Sequence, residues 1–278
     1  MDKAFWESIK ANDYAVPEGR SLDELTDDLL DFLVSPDPAL RDDYCYTTMA
    51  YWMIRRVYST DQMRQILRTL LPRMQAGIGE QGTNSVFGRS FAALMLGYVI
   101  NEDNKTPFLE ESEVKETLNK ALEYLANEKD LRGWLPEKGW AHSAAHTADL
   151  LWFLAKNKHI EPSDLKNILH GMSDKMAVPS GYLFVHGEDE RMARAILAVM
   201  SREDAPLEGL TKWLTQVGRV IELTDPTANF DPKIHSAYYN TKNLLRSIYF
   251  KLAHAENPPQ HVAALKGKII EELRKFEN

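Results

Sequence analysis

Apolar residues recur every three or four positions along most of this chain, so its first prediction is helix. In 21–34, Leu22, Leu25, Leu29, Leu30 and Leu33 keep that spacing with acids between them. Ser21 followed by Glu24 forms a capping box. The segment 59–75 opens at Ser59 or Thr60 and carries Met63, Ile66, Leu67, Leu70 and Leu71. Segments 111–127, 162–173 and 206–222 share the pattern, and Pro162, Ser163 and Asp164 give a start signal for 162–173. Between these amphipathic stretches lie richer, more apolar ones: 41–57, 86–100, 142–156, 188–202 and 234–254. β-like runs are short, Tyr182 to Val185 and Val220-Ile221. Turn-forming clusters fall at 77–85, 101–107, 132–139, 175–181, 223–232 and 256–259.

The richer helices begin near Arg41, Phe87, His142, Glu188 and Ile234, roughly 45–55 residues apart, a period within the range of helix-pair repeats. Each unit would be an outer amphipathic helix, a turn and an inner helix buried on more sides. Such a unit cannot cover its own apolar face, so neighbours stack. The spacing predicts an all-α, ARM/HEAT-like α-α superhelix of about five antiparallel helix pairs. A C-terminal capping helix, 258–277, would close it, charged on one face through Lys266, Lys268, Glu271, Glu272, Arg274 and Lys275. No linker divides the chain, so residues 1–278 are expected to form one domain. A closed α/α toroid is the alternative, but such rings usually need more pairs.

Composition narrows the function classes. The 278 residues are 44% hydrophobic and 27% charged, ordinary for a soluble globular protein. The net charge of −8 argues against general nucleic-acid binding and against an anionic membrane surface. The lone Cys45 excludes an intramolecular disulfide and a thiolate zinc cluster. No apolar run reaches the roughly 18 residues of a membrane span, and the N-terminus lacks a basic segment followed by an apolar one. A cytoplasmic protein is expected.

Polar residues collect where inner helices begin: Arg41, Asp42 and Asp43; Asn84, Ser85, Arg89 and Ser90; His142, His146 and Asp149; His186 through Arg194; His235, Tyr238, Asn240 and Lys242. Stacking would bring them to one rim of a concave face, where an unknown small molecule, anion or peptide would bind. The expected binding set is Arg89, Trp140, His142, His146, Asp149, Glu188, Asp189 and Arg191. At about 100° per residue, His142, His146 and Asp149 fall within an arc of roughly 60° on one helical face.

Three chemistries compete for that triad. His142 and His146 have the i, i+4 spacing of two metal ligands. The metalloprotease motif, however, needs Glu after the first His, and residue 143 is Ser. Asp149 lies a rise of roughly 10 Å from His142, so a third ligand would have to come from another helix, such as Glu188 or Asp189. Metal binding is therefore the weakest reading, and no cofactor is expected. In acid–base catalysis, Asp149 would fix the tautomer of His146 and His142 would act on substrate. Ser143 and Ser90 lack a nucleophile motif, though, and Cys45 has a core-like Tyr-Cys-Tyr context. In the structural reading the triad is a buried hydrogen-bonded seam. His146 sits among Ala144, Ala145 and Ala148, and Asp149 would accept from Arg89 or Arg191. The acids of 188–190 are explained by a helix N-terminus alone. Trp134 and Trp140 read as loop anchors, with Trp140 a candidate pocket wall beside His142.

Three stretches together resemble the bacterial DUF2785 family, a group without an assigned activity. They are Val-Phe-Gly-Arg-Ser-Phe-Ala-Ala-Leu (86–94), Arg-Gly-Trp through Gly-Trp-Ala-His-Ser-Ala-Ala-His-Thr-Ala-Asp-Leu-Leu (132–151) and His-Gly-Glu-Asp-Glu-Arg-Met-Ala-Arg-Ala (186–195). The resemblance implies an all-helical fold, with the ARM/HEAT type as the expected form, and supplies no site residue. The expectation is a binding or scaffold protein. The competing class is a small-molecule enzyme, a metal-dependent hydrolase among the options, centred on His142, His146 and Asp149.

Overall fold

The computed structural model describes residues 1–205, 207–224, 227 and 229–277, with the side chain of Leu207 left aside. Pro206, which opens the expected 206–222 segment, and Asp225, Pro226 and Ala228 of the expected 223–232 loop lie outside the described residues. Among the described residues there are twelve α-helices and one two-stranded hairpin. The chain divides into two compact units, Met1–Leu150 and Leu151–Asn278.

The first unit begins with α1 (Lys3–Ala11), which the apolar pattern did not single out. Asp2 caps it by accepting from Phe5 N, and Trp6 and Ile9 anchor it in the core. Trp6 donates its indole N–H to Asp28 on α2 (Leu22–Phe32) at 2.8 Å. The expected single helix 41–57 is instead a π-helical stretch, Ala39–Tyr46, running into α3 (Thr47–Ile54). α4 (Thr60–Arg73) starts at the Ser59/Gln62 capping box and buries Met63, Ile66, Leu67, Leu70 and Leu71, the stripe read from the sequence. Against it packs α5 (Ser85–Lys105), whose residues 86–97 are all buried. That contrast bears out the alternation of amphipathic and enclosed helices for this pair. α5 outruns its expected end at 100. In that extension, buried Asp103 accepts from Phe108 N and Leu109 N, both at 2.7 Å, and ties down the turn before α6 (Glu111–Asn127).

The hairpin, β1 (Trp134–Leu135) and β2 (Gly139–Trp140), pairs Trp134 with Trp140 and Leu135 with Gly139. It leads into α7 (Ser143–Leu154), within which the boundary between the units falls.

In the second unit come α8 (Pro162–Ala177), α9 (Glu188–Met200), α10 (Leu207–Gly218), α11 (Pro232–Ala253) and α12 (Gln260–Arg274). α11 packs on α8, α9 and α12. Neither β-like run forms a strand. Val220-Ile221 lies in a 3-10 turn, Arg219–Leu223. The 182–185 segment has its backbone bonds supplied by a side chain. Buried Asn240 on α11 donates to Tyr182 O and accepts from Phe184 N, each at 2.9 Å, as a neighbouring strand would. No helix among the described residues is long and apolar enough to cross a membrane.

Candidate functional site

The hairpin turn is held by the first polar group of the sequence. Fully buried Arg41 donates Nη1 to Ser35 O (2.8 Å) and Nη2 to Lys138 O (2.7 Å) and Asp42 Oδ2 (2.6 Å). Its guanidinium carbon lies 4.2 Å from the ring centre of Phe87 and 4.8 Å from that of Phe91. Gly139 permits this approach. Its φ is +72°, and a Cβ there would stand 3.1 Å from both Arg41 Nη2 and Pro38 Cβ. Burial of the adjacent Asp42 pushes its carboxyl up to about 6, with Arg41 pulling the other way.

Beyond the hairpin two further backbone bonds continue the pairing, Ala141 N to Gly133 O and His142 N to Arg132 O, both 2.9 Å. His142 then turns through the left-handed region, with φ +53°, and α7 begins. Ser143 Oγ donates to Asp130 O at 2.6 Å. Asp130 itself receives Arg132 through Nε (2.7 Å) and Nη2 (2.6 Å) and Gly82 N (2.9 Å). Every residue from 141 to 151 is buried, including His142, His146 and Asp149.

His142 and His146 do come together, with ring centres 5.5 Å apart. Trp140 stacks on His142 at 4.6 Å and 17° between planes, and Trp134 meets Trp140 edge-on at 5.0 Å. On the inner side His146 is edge-on to Phe91 at 4.9 Å. His146 Nδ1 lies 2.8 Å from Ser90 Oγ, and that hydroxyl gives its one proton to Ala141 O. Ser90 therefore accepts from His146, which fixes the Nδ1–H tautomer. A Ser90–His146 nucleophile and base would need the opposite polarity, with Nδ1 accepting. Cys45 offers no substitute, because complete burial raises its thiol pKa far above the ordinary range. Among the described residues no group of three or more His, Cys, Asp and Glu side chains is placed to hold a metal ion.

Arg89 does not reach Asp149. Its fully buried guanidinium is clamped by Glu128, with Nε to Oε2 at 2.6 Å and Nη2 to Oε1 at 3.2 Å. Its Nη1 contacts Ala76 O, Gly77 O and Ser85 Oγ at 3.2, 3.0 and 2.7 Å. The residue expected to bind a ligand thus joins the chain after α4 to the end of α6. Its partner Glu128 carried no sequence signal beyond a charge at a helix end.

In the second unit, Glu188 opens α9 after Gly187 at φ +82°, and its carboxylate accepts from His186 N at 2.8 Å. Burial raises the Glu188 pKa, and hydrogen bonds from its own and the His186 backbone N–H oppose the rise. Asp189 accepts from Ser247 Oγ on α11 at 2.5 Å. Arg191 is part-buried in the first turns of α9, its N–H bonded to Gly187 O. Arg194 lies over Trp152, at 4.1 Å, as does Lys156 Nζ at 3.6 Å.

Fold and site together define an all-helical protein whose buried polar side chains lock loops onto helix ends. The chain belongs to the DUF2785 family, described as a protein of unknown function, whose profile matches residues 74–250. No curated protein and no solved structure matches the chain.

Proposed function

We propose that this is a binding or scaffold protein of the ARM/HEAT-like helical-repeat kind, acting in the bacterial cytoplasm. Its ligand, a small molecule, anion or peptide, meets the aromatic ladder of Trp134, Trp140 and His142. One observation carries the reading. The ladder is fixed at its base by the buried His142 and is half-exposed at its tip, Trp134. A rigidly held indole offers a large contact area at small entropic cost, and Trp is enriched at binding hot spots. The polarity of the Ser90–His146 bond weighs against nucleophilic catalysis.

The enzyme reading, a small-molecule hydrolase using His142, His146 and Asp149, has one observation in its favour. His142 holds a left-handed backbone, and such strain clusters at active sites. Thermal-shift and tryptophan-fluorescence titrations against arrays of small anions and short peptides separate the two. A ligand shift abolished by Trp134→Ala, with the melting temperature of the unliganded protein unchanged, supports the binding reading. Turnover of aryl-ester or aryl-phosphate substrates that disappears in His142→Ala replaces it with the hydrolase.

A further inference from the structure

A second site, unrelated to the ladder, lies between α8 and α10. A cavity of about 370 Å³ opens there, within the size range of small-molecule sites. Its floor is apolar: Leu165 and Leu169 from α8, Val199 from α9, Leu210 and Trp213 from α10. The Trp213 indole N–H is already spent on Leu169 O and Ser173 Oγ, each at 3.2 Å. The ring thus contributes apolar surface and asks no hydrogen bond of an occupant.

The polar groups sit at the rim, and their charge is one-sided. Lys166 and Lys212 carry it beside the imidazole of His170, and among the described lining residues there is no carboxylate. That bias is not a general property of grooves in this protein. The groove beside α4 and α6 sets Glu113 and Glu116 against Arg68 and Lys120. Nor does the net charge of −8 cancel it, because distant charges are screened beyond about 8–10 Å at physiological salt. Lys212 is paired with Glu208 at 2.6 Å, but both side chains are exposed, and such a pair exchanges readily for another anion.

An apolar floor beneath a cationic rim matches one ligand chemistry, an alkyl chain ending in an anion. We propose that the α8/α10 cavity binds a free medium-chain carboxylate, with the chain over Leu165, Leu169 and Trp213 and the carboxylate between Lys166 and Lys212.

The probe is sodium decanoate, titrated below its micellar range into the intact protein and followed by calorimetry. One saturable site is expected. Octanoate should bind roughly tenfold more weakly, since two buried methylenes are lost. Decanol should bind about three- to tenfold more weakly than decanoate, and decyltrimethylammonium more weakly still, since exposed ion pairs are worth at most about 1 kcal/mol each. Lys166→Glu/Lys212→Glu should weaken decanoate by a similar factor, and Lys166→Gln/Lys212→Gln by less, both with unchanged circular dichroism because both lysines are exposed. Trp134→Ala should leave decanoate binding intact, so failure of the ladder reading and failure of this one are distinguishable. Absence of saturable decanoate binding overturns the proposal. Equal binding of the alcohol or the quaternary ammonium does so too, as does undiminished binding to the charge-reversed variant.

Discussion

Replacing Glu128 by Gln tests whether the polar seam is structural. The Arg89 guanidinium is fully buried, and Glu128 is 2% exposed. Two of the five contacts to Arg89 come from that carboxylate; the others come from neutral oxygens of Ala76, Gly77 and Ser85. The substituted amide would keep the shape and remove the charge. Its oxygen can face only one of Nε and Nη2. Its NH2 group would then oppose the other, or the Asp130 N–H that bonds Oε1 at 2.8 Å. A buried cation thus loses its counter-charge, and a buried donor loses its acceptor. Breaking a buried pair from one side costs about 3–5 kcal/mol, of which the orphaned donor accounts for about 1–3. For a unit of this size the melting temperature should fall on the order of 10 °C. Urea unfolding at pH 7, followed by far-UV circular dichroism, measures the effect. The double variant Arg89→Met/Glu128→Leu should recover part of the loss, because no unpaired charge remains buried. A Glu128→Gln protein within about 1 kcal/mol of the parent would refute the reasoning, since the pair would then be solvated or dispensable.

Three further outcomes follow from the same contacts. Ser90→Ala and His146→Ala should each destabilise the fold by about 1–3 kcal/mol in denaturant titrations, because Ala141 O or Ser90 Oγ loses a buried partner; a His146→Ala protein that unfolds normally but loses a ligand would contradict this. Gly139→Ala should cost about 1–3 kcal/mol, from positive φ and the approach to Arg41 and Pro38, and thermal melts that match the parent would exclude the role given to Gly139. Asp42 titrates higher in the folded state, near 6, than its ordinary value of 3.8, so between those values the folded form holds more protons. Its contribution to stability therefore falls as pH rises from 4 to 6, by about 2–3 kcal/mol, and Asp42→Asn should flatten that part of the pH–stability curve; an identical slope in the variant would show that another group is responsible.

Much of the helical layout is local and was legible. α4 and α6 stand where the apolar spacing put them, and Ser59 with Gln62 marks the start of α4. α1 escapes the apolar pattern because its nine residues give only two buried positions, Trp6 and Ile9, too few for a periodic signal. The 41–57 segment reads as one regular helix because its composition does not distinguish a π-helical start from an α-helical one. In the site, His142 and His146 do meet, but not on one helical face as their spacing implied: α7 begins at Ser143, and His142 stands just before it with a left-handed backbone. Nothing in the sequence pointed to the left-handed backbone at His142 or to Ser90 as the acceptor that sets the tautomer of His146.

Helical class, the enclosed nature of α5 and α7 and the family were thus set by the order of residues itself, since apolar spacing, capping and short motifs act over a few neighbours. Which polar groups are partners was decided only in three dimensions. Arg89 meets Glu128 across 39 residues, Arg41 meets Lys138 across 97, and Asn240 stands in for a strand across 56 to 58. Such pairings depend on how loops close and where helices end, and burial then makes each one obligatory, because a desolvated donor or charge must find whatever acceptor the packing brings near.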